Sequence, residues 1–218
     1  MIALSLKNVG LSYDDRIIFE GANIDIPCGS FCILTGDSGI GKTSLLRMIY
    51  MDLTPTWGNL IVLNEDLSRI NDKAFLRQRL GIIFQDFKLI EDMNVLDNVA
   101  LPLSVRHFPI FEAREQAYKM LDWAGINCYD AYPSFLSGGE KQRVGIARAV
   151  IAKPEIIIAD EPIESLDEAN AWHVIKLLKA LQDIGVTIIL STHNHSIVRS
   201  LGDVFHIVIK DTSIRHIK

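Results

Sequence analysis

The chain lacks what would thread it through a bilayer or hold it on a nucleic acid. Its 218 residues contain no apolar run near the roughly 20 residues that a membrane-spanning helix needs, and no basic-plus-apolar leader opens it. A protein that resides in the cytosol and reaches a membrane only through a partner is therefore expected. Basic residues are outnumbered, 22 Lys and Arg against 27 Asp and Glu, for a formal net charge of -5. Nucleic-acid binders usually show a basic face, so no nucleic-acid partner is expected. Cysteine is scarce and odd in number: Cys28, Cys32 and Cys128 make no zinc-like quartet and read as reduced thiols in a cytosolic core. No Pro-, Gly- or Ser-rich linker divides the chain and no internal repeat is visible. With 49% hydrophobic residues the sequence can bury one substantial core, so a single domain over 1–218 is expected.

What is present starts at Gly36. Gly36-Asp37-Ser38-Gly39-Ile40-Gly41-Lys42-Thr43 fits the template G-x-x-x-x-G-K-[ST] of a phosphate-cradling loop. Glycines at 36, 39 and 41 admit backbone conformations that a Cβ forbids, so successive N–H groups can turn inward around a phosphate chain. Lys42, Thr43, Ser44, Leu45, Leu46 and Met48 read as the first turns of a helix whose unpaired amides and dipole point at the same anion. Nucleotide contact is expected from Gly36 through Ser44, with Lys42 against the terminal phosphates and the Thr43 hydroxyl on Mg²⁺. Ser30-Phe31-Cys32-Ile33-Leu34-Thr35, just before, is a short apolar run of buried-strand type, which is where such a loop must follow. Asp37 is an unusual residue inside the loop. Its side chain is expected to point away from the phosphates, which would repel a carboxylate.

Ile156-Ile157-Ile158-Ala159 has the composition of a buried parallel strand, and Asp160 and Glu161 stand at its carboxyl end, where open α/β sheets place ligands. Asp160 is expected to hold the Mg²⁺ shell. Glu161 is expected to polarise the attacking water, since in phosphoryl transfer the protein mainly positions groups and balances charge. Leu136-Ser137-Gly138-Gly139-Glu140 puts Ser-Gly-Gly at a helix start and so makes a second anion site. In His193-Asn194-His195 no further Cys or His follows at metal-ligand spacing; His193 is read as a phosphate-sensing residue and His195 as incidental.

The phosphate loop, Phe84-Gln85-Asp86, Leu136-Ser137-Gly138-Gly139-Glu140-Lys141-Gln142-Arg143, Asp160-Glu161-Pro162, Leu166-Asp167 and Ser191-Thr192-His193 occur in one order. In that order the chain resembles the ATP-binding subunits of ABC systems over its whole length. The resemblance implies an α/β P-loop NTPase fold with a RecA-like core, an antiparallel β edge and a helical subdomain, and hydrolysis of ATP with Mg²⁺. It implies a head-to-tail homodimer in which Ser137, Gly138 and Gly139 of one chain face the γ-phosphate held by Lys42 of the other. Gln85 then links Mg²⁺ and water to the helical subdomain, His193 contacts the γ-phosphate and Asp167 lies at the subunit seam. Tyr13 resembles the ring that stacks on adenine in such subunits. A narrower resemblance rests on Phe75 to Asp86, Asn94 to Leu103 and Val144 to Val150. It points to cell-division ATPases of the FtsE type, which work with an FtsX-like integral membrane protein at the cytoplasmic face of the inner membrane. The LolD and MacB transport ATPases are close relatives, and an ATP-gated clamp with little turnover is a further alternative. Ile163-Glu164-Ser165 departs from the pattern, which has Thr followed by small residues; Glu164 is expected to put a charge near the dimer seam.

Along the chain, strands are expected over Ile2 to Val9, about Ala22 to Ile26, and Thr187 to Leu190, with two short strands joined near Asp211 between Val204 and Lys218. Helices are expected over Val95 to Leu103, Phe111 to Ala124, the segment after Gly139, and Asp167 to Gln182. These place an ATP-binding core at 1–85 and 154–218 and a helical insertion at 86–153. The apolar residues Phe87, Leu89, Ile90, Met93, Val95 and Leu96 after Gln85 are read partly as packing and partly as an exposed patch where a partner's cytoplasmic helix docks.

Overall fold

A computed structural model describes residues 1–202 and 204–217. The chain opens with β1 (Ile2–Tyr13) and β2 (Arg16–Pro27), an antiparallel hairpin. Alternation along β2 buries Ala22, Ile24 and Ile26 on one face, and past an irregularity at Gly21 (φ 64°) Phe19 joins the same core. β1 pairs on its other side with β4 (Trp57–Val62), which β5 (Glu65–Asp66) extends, giving a four-stranded sheet of order β2-β1-β4-β5. β1 runs past the Val9 end expected from sequence. Asn8 takes a left-handed φ of 52°, and the register shifts between Leu6 and Val9, so a bulge absorbs the irregularity without ending the strand.

The second sheet holds β3 (Phe31–Thr35), β6 (Leu80–Ile83), β7 (Ile156–Asp160), β8 (Thr187–Ser191), β9 (Phe205–Lys210) and β10 (Ser213–Ile217), in the order β10-β9-β3-β8-β7-β6. From β9 to β6 the neighbours are parallel; only β10 runs antiparallel, against β9. Asp211 and Thr212, both at positive φ, make the tight turn between them, as the sequence expects; Lys218, the end of that expected segment, lies outside the described residues. Apolar runs such as Ile156–Ala159 occur because both faces of the sheet are covered.

One face carries Cys32, Leu34, Ile156, Ile158 and Ile189, which pack with α1 (Lys42–Ile49), α2 (Lys73–Arg77) and the first sheet. The other carries Ile33, Ile157, Ala159, Ile188 and Leu190, packed against α6 (Glu168–Asp183) and α7 (His195–Ser200). Each buried Ile or Leu among them contributes on the order of 1.5–3 kcal/mol by burial. α3 (Val95–Val105), α4 (Ile110–Trp123) and α5 (Gly138–Val150) enclose a core of their own, built on Val95, Val99, Leu103, Ala117, Leu121 and Val144.

All three cysteines are free thiols, but only Cys32 is in the core; Cys28 is exposed in the turn after β2, and Cys128 is half-buried. Among the described residues no helix is long and apolar enough to cross a membrane.

Candidate active site

Because β3, β8, β7 and β6 are parallel neighbours, their carboxyl ends share one edge of the sheet. The segments that leave those ends are the 36–41 loop, Thr192-His193, Asp160-Glu161 and Phe84-Gln85. Topology alone thus gathers residues from four distant stretches of sequence at the place where open α/β sheets bind ligands.

The loop is held in a shape that needs glycine. At Gly36 (φ 151°) an added Cβ would lie 2.7 Å from the Ile209 carbonyl oxygen, and at Gly41 (φ 111°) 2.6 Å from Ile18 Cγ2. Gly41 begins α1 without a side-chain cap, and the first turn holds no acidic residue, which suits the helix N-terminus to an anion. Lys42 is buried, yet its ammonium donates to the carbonyl oxygens of Gly36 (2.9 Å) and Asp37 (3.1 Å). Asp37, Ser38 and Gly39 are exposed, Ile40 packs partly into the core, Thr43 is exposed on the first turn and Ser44 is half-buried beside it.

Opposite the loop, Glu161 Oε1 lies 3.5 Å from Lys42 Nζ. Glu161 sits at φ 45°, a conformation that costs a non-glycine residue about 1–3 kcal/mol and is retained where the surroundings impose it. Ser191 is what imposes it. Its buried hydroxyl accepts from the Glu161 backbone N–H (2.9 Å) and donates to Asp160 Oδ1 (2.7 Å), so one side chain from β8 holds the Asp160 carboxylate at the end of β7 and the backbone of Glu161 just beyond it. Nothing local in the sequence marks Ser191 for this task, since both of its partners lie about thirty residues away.

His193 is largely exposed, with Nδ1 3.8 Å from Glu161 Oε1 and Nε2 3.3 Å from Glu164 Oε2. The Glu164 side chain is only 11% exposed and is turned onto the His193 segment. Ile163, the other departure, is a core residue packed among the apolar side chains behind β7.

Gln85 is exposed just beyond β6, and the chain then turns through Phe87 (φ 62°) and Lys88 (φ 47°). Arg148 of α5 donates to both carbonyl oxygens, at 2.8 Å for Phe87 and 2.7 Å for Lys88. Burial pushes the Arg148 guanidinium below its ordinary pKa. Fully buried Asn98 ties the next stretch, accepting from Ile90 N–H and donating to the Ile90 and Met93 carbonyls. Of the apolar residues expected to be partly exposed here, Val95 and Leu96 are core and Ile90 is the one clearly at the surface. A groove of about 450 Å³ beside them is lined by Arg77, Phe84, Ile90, Leu101, Val105 and Arg148, among others.

The 137–139 segment lies elsewhere. Ser137 caps α5 in a reciprocal box with Glu140, whose carboxyl the Ser137 side chain and backbone hold below its ordinary pKa. Gly139 faces Asn170, where a Cβ would come 2.7 Å from Oδ1. Asp167 caps α6 by accepting from the Asn170 backbone (2.9 Å) and side chain (2.7 Å), hydrogen bonds that lower its carboxyl pKa. Among the described residues no hydrogen bond or ion pair joins Ser137, Gly138 or Gly139 to the phosphate loop of the same chain. Tyr13 ends β1 with its side chain exposed.

A hydroxyl (Thr43), an amide oxygen (Gln85) and a carboxylate (Asp160) form a hard-oxygen set of few ligands, as Mg²⁺ takes when substrate phosphates and water supply the rest. Among the described residues no cluster of His, Cys, Asp and Glu suited to hold a metal by itself is present.

A phosphate loop on a parallel sheet, a buried lysine and an acidic pair at the adjoining strand end define a P-loop ATPase. The chain belongs to the ABC transporter family, whose model matches residues 19–164. It is 35% identical over 202 residues to the cell division ATP-binding protein FtsE of Bacillus subtilis, covering 91% of this chain and 89% of that one. It is 36% identical to the methionine import ATP-binding protein MetN of Histophilus somni over 92% of its own length, but spans only 60% of MetN. An ATP-binding cassette solved as a dimer in a post-hydrolysis state with ADP and Pi superposes with a TM-score of 0.90 at 33% identity, over 99% of this chain and 98% of that one. The cbiO1 structure from Clostridium perfringens, part of the transporter complex cbiONQ, gives 0.87 at 28% identity, over 98% and 87%. The fold is that of an ABC ATPase with a helical subdomain, and its activity is hydrolysis of ATP with Mg²⁺.

Proposed function

We propose that this chain is the ATPase of an FtsE/FtsX-like complex, coupling ATP-driven dimerisation to a membrane partner in bacterial cell division and cell-wall remodelling. The observation that supports this is the 35% identity to FtsE over 202 residues, together with the resemblance carried by Phe75 to Asp86, Asn94 to Leu103 and Val144 to Val150. In this reading the chain is one domain, core 1–85 and 154–218 with the insertion 86–153, at the cytoplasmic face of the inner membrane.

ATP lies along 36–44 with adenine against Tyr13. Lys42 sits on the terminal phosphates; Thr43, Asp160 and Gln85 hold Mg²⁺, which neutralises phosphate charge. Glu161 takes the proton of the attacking water, and His193 donates to the γ-phosphate. Ser137, Gly138 and Gly139 of a second copy close each site across a two-fold seam at Asp167. The exposure of Ser137 and Gly138, and the segment's lack of a partner in its own chain's loop among the described residues, support that arrangement. Loss of the bridging γ-phosphate then loosens the dimer.

The Arg77–Arg148 groove receives a cytoplasmic helix of the partner, so charge at its rim should uncouple division without disabling ATP binding. Replacing Ile90 by Asp tests this. Filaments or chains of cells, with lipoproteins correctly sorted, support the division role; normal division with lipoproteins stranded in the inner membrane establishes a LolD-like motor instead. The second reading, a transport ATPase, is favoured by the equally high identity to MetN.

A further inference from the structure

One carboxylate in the site is not accounted for by the roles above. Glu164 Oε1 accepts from the Thr192 hydroxyl (2.6 Å) and from the backbone N–H of His193 (2.9 Å), while Oε2 stands 3.3 Å from His193 Nε2. Thr192 is fully buried, and its hydroxyl oxygen also accepts from the Asn194 backbone N–H at 3.0 Å. A single carboxylate therefore holds the segment that carries His193 at successive points. The backbone delivering it is itself anchored: Ile163 beside it is 1% exposed in the core, and three residues on Asp167 caps α6.

We infer that Glu164 is a positioning residue for His193, tying the histidine segment to the loop between Glu161 and Asp167. That loop joins the catalytic carboxylate to the residue placed at the subunit seam, so a shift of the seam loop is passed to His193 through a short, charge-assisted link. A serine or glycine at 164 could not reach Thr192 and His193 together with two oxygens. Burial of Ile163 fixes where the carboxylate starts, and the paired N–H and O–H donors fix where it ends. The inference rests on His193 acting at the γ-phosphate, and the experiment separates the two.

Steady-state ATPase activity is measured for the wild type, Glu164→Ala, Glu164→Gln, His193→Ala and the Glu164→Ala/His193→Ala double variant. Misplacing a catalytic group by about 1 Å can cost 10²-fold, so Glu164→Ala is expected to lower kcat about 10-fold or more, with KM for ATP changed less than about 2-fold. Glu164→Gln keeps an acceptor oxygen and should recover most of that loss. In the His193→Ala background the Glu164→Ala change should cost no more than about 2-fold further, because residues acting through one another are not additive. Wild-type kcat in Glu164→Ala, or losses that multiply in the double variant, overturns the inference. If Glu164→Ala no longer binds a non-hydrolysable ATP analogue, Glu164→Asp, whose carboxylate is one methylene short of Thr192 and His193, replaces it in the cycle with His193→Ala, and losses that multiply there overturn the inference. A fully active His193→Ala enzyme would instead contradict the role given to His193.

Discussion

Lys42 of the phosphate loop and Glu161 at the end of β7 lie 3.5 Å apart, with both side chains mostly shielded from solvent. On the proposed mechanism, the cation assigned to the terminal phosphates and the carboxylate assigned to the attacking water thus approach one reacting centre. Glu161→Gln keeps the side chain's shape and removes its basicity. Turnover is expected to fall by about 10²–10⁴-fold while ATP still binds, and an ATP-bound dimer should accumulate. Single-turnover hydrolysis and size-exclusion chromatography with ATP check this; near-normal hydrolysis means Glu161 is not the base.

The groove beside Gln85 predicts separable effects of two neighbouring residues. Ile90 is exposed, so Ile90→Asp should abolish membrane recruitment with nearly unchanged ATP affinity. Phe87 is half-buried, and its carbonyl is held by Arg148, so Phe87→Asp should also lower Tm. Cell fractionation and thermal melts distinguish them. An Ile90→Asp protein that remains on the membrane contradicts the docking role.

Acid should weaken the fold through carboxylates that are better stabilised folded than unfolded. Arg79 donates to both oxygens of Glu155 and lowers its pKa, and Ser137, whose hydroxyl and backbone N–H both donate to Glu140 Oε2, lowers that of Glu140. Such groups contribute stability that is complete above the unfolded carboxylate value, roughly 4.3–4.5, and is lost as pH falls through the lower folded value. Tm should therefore drop below about pH 5, and Arg79→Ala should lower Tm at neutral pH more than at about pH 3. An equal loss at both pH values contradicts this assignment.

The elements that deliver the site were legible because each is marked locally. Gly36 to Thr43 follows an apolar run, Asp160-Glu161 ends one, and Asn94, Ser137 and Asp167 each cap the helix they precede. The β4–β5 hairpin and β6 were not assigned as strands: β5 has only two residues, and β6, Leu80–Ile83, is a short stretch whose partner β7 lies far along the chain. Ser191, Arg148 and Glu164 were missed as supports for the site because their meaning depends on long-range hydrogen bonds. Glu164 meets Thr192 and Ser191 meets Asp160 across some thirty residues.

The account turns on a site shared between two copies. Lys42→Ala subunits are mixed with Ser137→Arg subunits, and ATP-dependent dimerisation is measured against each variant alone. A thermal melt of Ser137→Arg is run alongside, because losing the capping box costs about 0.5–2 kcal/mol. In the mixture one composite site keeps both Lys42 and Ser137 while the other has neither, so partial rescue of dimerisation relative to both parents is predicted. Failure of the mixture equal to that of both parents would contradict the two-fold arrangement.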